Sequence, residues 1–126
     1  MIPGTSQFGI CGPVVYRRCR DGDTVLVVGK NTDWPITVRL LDVWCPDGDR
    51  ELNRAAVEYI QSIMTASYET VLFVPIEVRN NKPVLTSLVS FDRVLGYVHI
   101  GEYGTLNSML IRKNLASSTK GGRLGE

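Results

Sequence analysis

The stretch from Ile36 to Met64, ITVRLLDVWCPDGDRELNRAAVEYIQSIM, changes its period halfway along. Over "ITVRLLDV" the side chains alternate as on a strand. Arg39 falls on one face with Leu41 and Val43, and Leu40, Asp42 and Trp44 fall on the other. Pro46 and Gly48 end the pairing. From Glu51 onward Leu52, Ala55, Ala56, Tyr59, Ile60, Ile63 and Met64 recur at steps of three and four, which predicts a helix of about four turns with one apolar face. Asp47 or Asp49 is placed to cap it.

Upstream, "PVVYRRC" (Pro13 to Cys19) and "TVLVVG" (Thr24 to Gly29) read as two strands joined by the turn signal "RDGD". "KNTDWP" is a polar turn into the third strand. Downstream, "TVLFVPIEV" (Thr70 to Val78) reads as a fourth strand, and Pro75 within it predicts an edge position or a bulge. "VLTSLVSFDRVLGYVHI" supplies further strand, and "TLNSMLIRKNLA" (Thr105 to Ala116) a short amphipathic helix. Three strands, a helix, more strand and a last helix describe an α+β, mainly β chain. Its expected form is a five-stranded OB-type β-barrel, with one helix between strands three and four and one at the C-terminus. Residues 1–12 are expected as a loose arm, 13–116 as the folded domain, and 117–126 as a mobile, glycine-rich tail.

At 126 residues the chain suffices for one core without staples. Its 44% hydrophobic and 21% charged residues exclude a disordered polymer. The formal net charge of +1 gives no bulk attraction for polyanions, so nucleic acid would have to be held by a local patch. "MIPGTSQFGICG" lacks the basic start and apolar run of a signal peptide, and no segment has the length of a membrane span. A cytoplasmic monomer without membrane contact is the expectation. Cys11, Cys19 and Cys45 cannot all pair within the chain, and their spacing fits no zinc pattern, so reduced thiols are expected, with Cys45 close to the suspected site. His99 has no companion that would make it a zinc ligand.

The order "DGDTVLV", "VRLLDVWCPD", a helix with Ala55-Ala56, "FDRVLGYV" and "LNSMLIRKNLA" resembles the staphylococcal nuclease-like (thermonuclease) family from about Val14 to Ala116. The resemblance implies a calcium-dependent endonuclease, a phosphodiesterase hydrolysing DNA, RNA or both. It assigns Asp23 to the cation, with Thr24 and the backbone carbonyl of Cys45 completing the metal shell. It also assigns Arg39 and Arg93 to the scissile phosphate, Arg93 standing in "FDR" where the family has "YGR". These residue types suit the chemistry. In-line attack on phosphorus places negative charge on equatorial oxygens, which guanidinium groups and a hard, oxygen-liganded cation neutralise.

Two positions depart from the family pattern. Trp44 stands where a second cation-binding aspartate is expected, and Asp47 where a glutamate would position water. Losing a carboxylate ligand weakens calcium, because affinity follows ligand charge. Asp42, or Asp49 from the loop, is the candidate to reach a shifted cation, calcium or another divalent ion.

The same residues have plainer readings. Asp21 and Asp23 can simply shape a turn, Arg39 can pair with an acidic neighbour, and Arg93 can pair with Asp92. Trp44 and Trp34 can pack over the barrel ends or serve as stacking platforms for bases. Asn107, at the start of the last helix, reads as a structural hydrogen-bonding residue or cap. The alternative to a nuclease is an OB-fold module that binds nucleic acid or protein with weak or no catalysis.

Overall fold

The computed structural model of the chain describes residues 9–46, 48–66, 69–75, 77–79, 82–84, 89–90 and 93–126. Three strands come first: β1 (Gly9–Asp21), β2 (Thr24–Gly29) and β3 (Pro35–Leu40). Helix α1 (Arg50–Met64) follows, then β4 (Thr70–Pro75). A small hairpin, β5 (Glu77–Arg79) with β6 (Lys82–Val84), forms a separate sheet. β7 (Val89–Ser90), β8 (Arg93–Ile100) and α2 (Leu106–Arg112) complete the order.

The main sheet runs β3-β2-β1-β4-β8-β7, the short β7 pairing with the start of β8, and its first five strands close where β3 meets β8 in parallel, Val38 opposite Val94 and Leu40 opposite Gly96. This is a closed five-stranded mixed barrel of OB type with one helix between strands three and four and one near the C-terminus, as the sequence predicts. Closure needs a strand that serves two neighbours, and β1 does so. Residues Gly9 to Val14 pair with β4 and residues Val14 to Asp21 with β2. Register shifts between Tyr16 and Arg18 and between Cys19 and Asp21 supply the bend, since an extra residue on one strand increases local twist.

Two expectations are corrected. β1 begins at Gly9, earlier than the Pro13 that alternation suggests. β4 is an interior strand between β1 and β8, and Pro75 is tolerated because it is the last residue of that strand, opposite Gly9.

The core lies between the barrel wall and the two helices. Val25, Val27, Val38, Leu40, Val43, Val98 and Ile100 line it from the strands and loops, and Leu106 and Leu110 from α2. Helix α1 contributes Ala56, Ile60 and Met64. Asp49 caps that helix, its carboxylate accepting from the Leu52 amide at 2.9 Å. Asn107 is buried and joins three elements: its Oδ1 accepts from Val98 N, and its Nδ2 donates to Leu41 O and Gly96 O. It is therefore structural, and the cap of α2 is Thr105, which accepts from Ser108 N. Among the described residues no helix is long and apolar enough to cross a membrane.

Candidate functional site

The Asp21-Gly22-Asp23 turn between β1 and β2 is locked in place by its neighbours. The Gly22 amide donates to Asn53 Oδ1 of α1 at 2.9 Å. A Cβ at Gly22 would stand 2.8 Å from both Ala56 Cβ and Cys45 Sγ, so only glycine lets the turn sit this close to the helix. The turn thus fixes Asp23 beside β3, where Leu40 N donates to Asp23 O at 2.8 Å and Thr24 pairs with Arg39. The Asp23 side chain accepts from Thr24 Oγ1 at 2.9 Å and faces Arg39 across 3.6 Å. Thr24 is fully buried, and Asp23 and Arg39 are partly so.

The exit of β3 departs from strand alternation. β3 ends at Leu40, and Asp42 takes a left-handed conformation with φ of 56°. Alternation would place Trp44 on the face opposite Arg39. The reversal at Asp42 brings them together instead, with the Arg39 guanidinium 4.9 Å from the Trp44 ring centroid. Arg39 also donates to Leu40 O. Contacts of this type contribute about 0.5 to 2 kcal/mol, enough to hold one rotamer. Trp44 is anchored by mutual backbone hydrogen bonds with Ser117, at 2.9 and 3.0 Å.

Residues 117–126, expected as a mobile tail, turn back beside this loop. Gly125 N donates to Ala116 O, and Gly122 N to Thr119 O. The turn carries the Lys120 ammonium to 6.0 Å from the Trp44 centroid.

Two clefts open here. The smaller, of about 320 Å³, is lined by Asp21, Asp23, Asp49, Arg50, Asn53, Cys45, Pro46 and Gly48 and is acidic in character. The larger, of about 550 Å³, is lined by Arg39, Lys120, Trp44, Ser117 and the Gly121-Gly122 backbone. Asp23, Cys45 and Pro46 belong to both, so a carboxylate-rich side and a cationic side share one wall.

Several expected site residues stand elsewhere. Asp42 lines neither cleft, and its carboxylate accepts from Tyr97 Oη at 2.7 Å. That bond is coupled to Tyr97's ionisation: burial first, and then the hydrogen bond to Asp42, push the phenol well above its ordinary value. Arg93 lines neither cleft. It lies two residues before Leu95, which pairs with Arg39, and so shares the sheet face that carries Arg39. Asp47 lies outside the described residues. Cys45 is at the site, but its Sγ is held near Leu115 O at 3.6 Å. Burial, with Asp23 next, pushes its thiol up to about 11. Burial and the nearby Asp21 push Cys19 up to about 12.

The donor set can be weighed against calcium, which takes about six to eight oxygen ligands. Asp23 already serves Thr24 and Arg39, and Asp49 Oδ1 serves the helix cap. Among the described residues no three His, Cys, Asp or Glu side chains stand together as a metal site. These carboxylates alone do not make a calcium cage.

The sequence reading missed Lys120. The signal was present in "TKGG", a turn signature whose third residue, Gly121, has φ of 74°, the conformation a type II turn requires there. In comparison with known proteins, the chain matches no family model and no curated protein sequence.

Proposed function

We propose that the protein is a nuclease-like phosphodiesterase acting on DNA or RNA, with its site where the acidic and cationic clefts meet. The observation that carries this reading is the Asp23–Arg39 pair on the shared wall. At 3.6 Å the pair is long, so an incoming phosphate oxygen can take the guanidinium from the carboxylate at small cost. Arg39 would then neutralise charge on the phosphoryl oxygens, the term that dominates catalysis of phosphoryl transfer. Asp21 and Asp23, close by, suit a cationic or water partner on the opposite side. A divalent ion, calcium in the family the sequence resembles, belongs to the proposal as a requirement to be tested. So does Arg93 as a second phosphate contact. Three free cysteines fit a reducing, cytoplasmic setting.

A second reading is favoured by Trp44, which replaces an expected ligand and seats cations instead. On that reading the barrel binds phosphodiesters without efficient cleavage.

Cleavage of single-stranded DNA and RNA by the purified protein, in calcium, magnesium, manganese and EDTA and alongside Arg39→Ala, separates the two. Metal-dependent cutting lost in Arg39→Ala is the expected result. Salt-sensitive binding without cutting, weakened by Arg39→Ala, would establish the binding module instead. Neither cutting nor binding would overturn both.

A further inference from the structure

We propose that Lys120 is a phosphate-binding cation of the larger cleft, delivered by the C-terminal turn and seated on Trp44, so that a single nucleic-acid strand is held by Arg39 and Lys120 together. The proposal rests on the phosphodiester reading above and adds a residue and a segment that the reading does not contain.

Four observations converge on it. Lys120 and Arg39 lie within 6.0 Å and 4.9 Å of the same indole centroid, so one aromatic ring gathers two cations that would otherwise repel each other. Among the described residues Lys120 forms no salt bridge, which leaves its ammonium donors for a ligand. The wall beside it is the Gly121-Gly122 backbone, with no side chain to fill the space. The turn that presents Lys120 is also specified locally: Gly121 has a positive φ, and a Cβ at Gly122 would collide with Thr119 Oγ1.

The charge arrangement explains what Trp44 does. Gathering cations requires an attractive surface that does not cancel them. A carboxylate at this position would neutralise Arg39 or Lys120, whereas the indole face attracts both and leaves their net charge available to phosphate. With its ring so engaged, Trp44 acts as a seat for the cations and not as a base-stacking platform. A strand passing over the cleft would present successive phosphates, and two separated cations match that repeat better than one. Only part of the local positive charge is offset, by Asp23 on the shared wall.

The test is fluorescence anisotropy with a short, labelled, phosphorothioate-linked oligothymidylate, in EDTA and separately in calcium, across a salt series. The proteins are the full chain, Lys120→Ala, Lys120→Arg, Trp44→Leu and Arg39→Ala. Lys120 is exposed, so its replacement leaves folding intact. We expect Lys120→Ala to weaken binding about tenfold. It should also reduce the slope of log K against log salt by about 0.7, one phosphate contact on a single strand. Lys120→Arg should restore both. Trp44→Leu should weaken binding, and adding it to Lys120→Ala should cost less than the two separate effects combined, because both act through one contact.

Binding that weakens in Arg39→Ala but keeps its affinity and salt slope in Lys120→Ala would overturn the role of Lys120 while leaving the phosphodiester reading in place. No binding by the unsubstituted protein under either condition would overturn the proposal for Lys120, while the phosphodiester reading falls only if the cleavage assay also shows no cutting.

Discussion

The Arg39 guanidinium and the Trp44 indole stack at 4.9 Å although five positions separate them, an odd spacing that sends strand residues to opposite faces. The residue responsible is Asp42. Its left-handed backbone turns the chain over after β3, and Tyr97 holds its carboxylate there. The site therefore has an aromatic ring where the resemblance leads one to expect a cation ligand.

Replacing that ring by a carboxylate should convert the cleft. In Trp44→Asp, Asp21, Asp23 and the new side chain would give a higher ligand charge, and calcium affinity rises with that count. Terbium or calcium titration should show binding at least about tenfold tighter than in the unsubstituted protein, with Arg39 and Lys120 losing their seat. Unchanged affinity would show that this loop cannot bring a carboxylate to the hairpin.

Asp42 is expected to matter for stability through its backbone and its bond to Tyr97. A non-glycine residue in the left-handed region costs about 1 to 2 kcal/mol, which asparagine and aspartate bear better than alanine. Asp42→Ala and Asp42→Gly both lose the bond to Tyr97, but only glycine relieves the backbone. Denaturant unfolding should find Asp42→Ala less stable than Asp42→Gly by about 1 kcal/mol. Equal stabilities would mean that the loop relaxes out of the left-handed conformation.

Asn107→Ala should be among the most costly polar substitutions. It would strand the Val98 amide and remove the donors to Leu41 O and Gly96 O, at about 3 kcal/mol in total. Chemical denaturation reads this directly. A loss below about 0.5 kcal/mol would mean that water enters and replaces the side chain.

The cysteines should react unequally with iodoacetamide at mildly alkaline pH. Cys11 is exposed, whereas burial raises the thiols of Cys45 and Cys19 to about 11 and about 12 and so leaves almost no thiolate there. Peptide mass mapping of the native protein should find Cys11 alkylated at least about a hundredfold faster, with the other two reached only in denaturant. Comparable rates at Cys45 would show that the site loop opens.

Much of the architecture was legible because it follows from short-range rules. The three-and-four spacing from Leu52 to Met64 specified α1, and β-rich runs bounded by the polar turns "RDGD" and "KNTDWP" specified the first three strands. Asp47 and Asp49 were both readable as caps from their place before the first apolar turn, and the fold uses Asp49. Strand limits at Gly9 and Pro75 were not readable, since they depend on which neighbour a strand finds once the barrel closes. At the site, Asp23 and Arg39 were singled out only by the resemblance to a known family, and their pairing across 3.6 Å came from the fold. The separation of Asp42 was not readable, because a single reversed φ changes the facing of every residue beyond it.

By itself the sequence determined the local elements, the OB-type order, the glycine at the hairpin and the residue types from which a phosphate site could be made. Periodicity and turn chemistry act over a few residues and need no partner. Tertiary structure alone decided that Trp44 faces Arg39, that Asp42 is drawn to Tyr97, and that Lys120 returns to the cleft from the far end of the chain. Each of these contacts joins residues whose approach is set by barrel closure and by a backbone reversal, and neither leaves a periodic trace in the sequence.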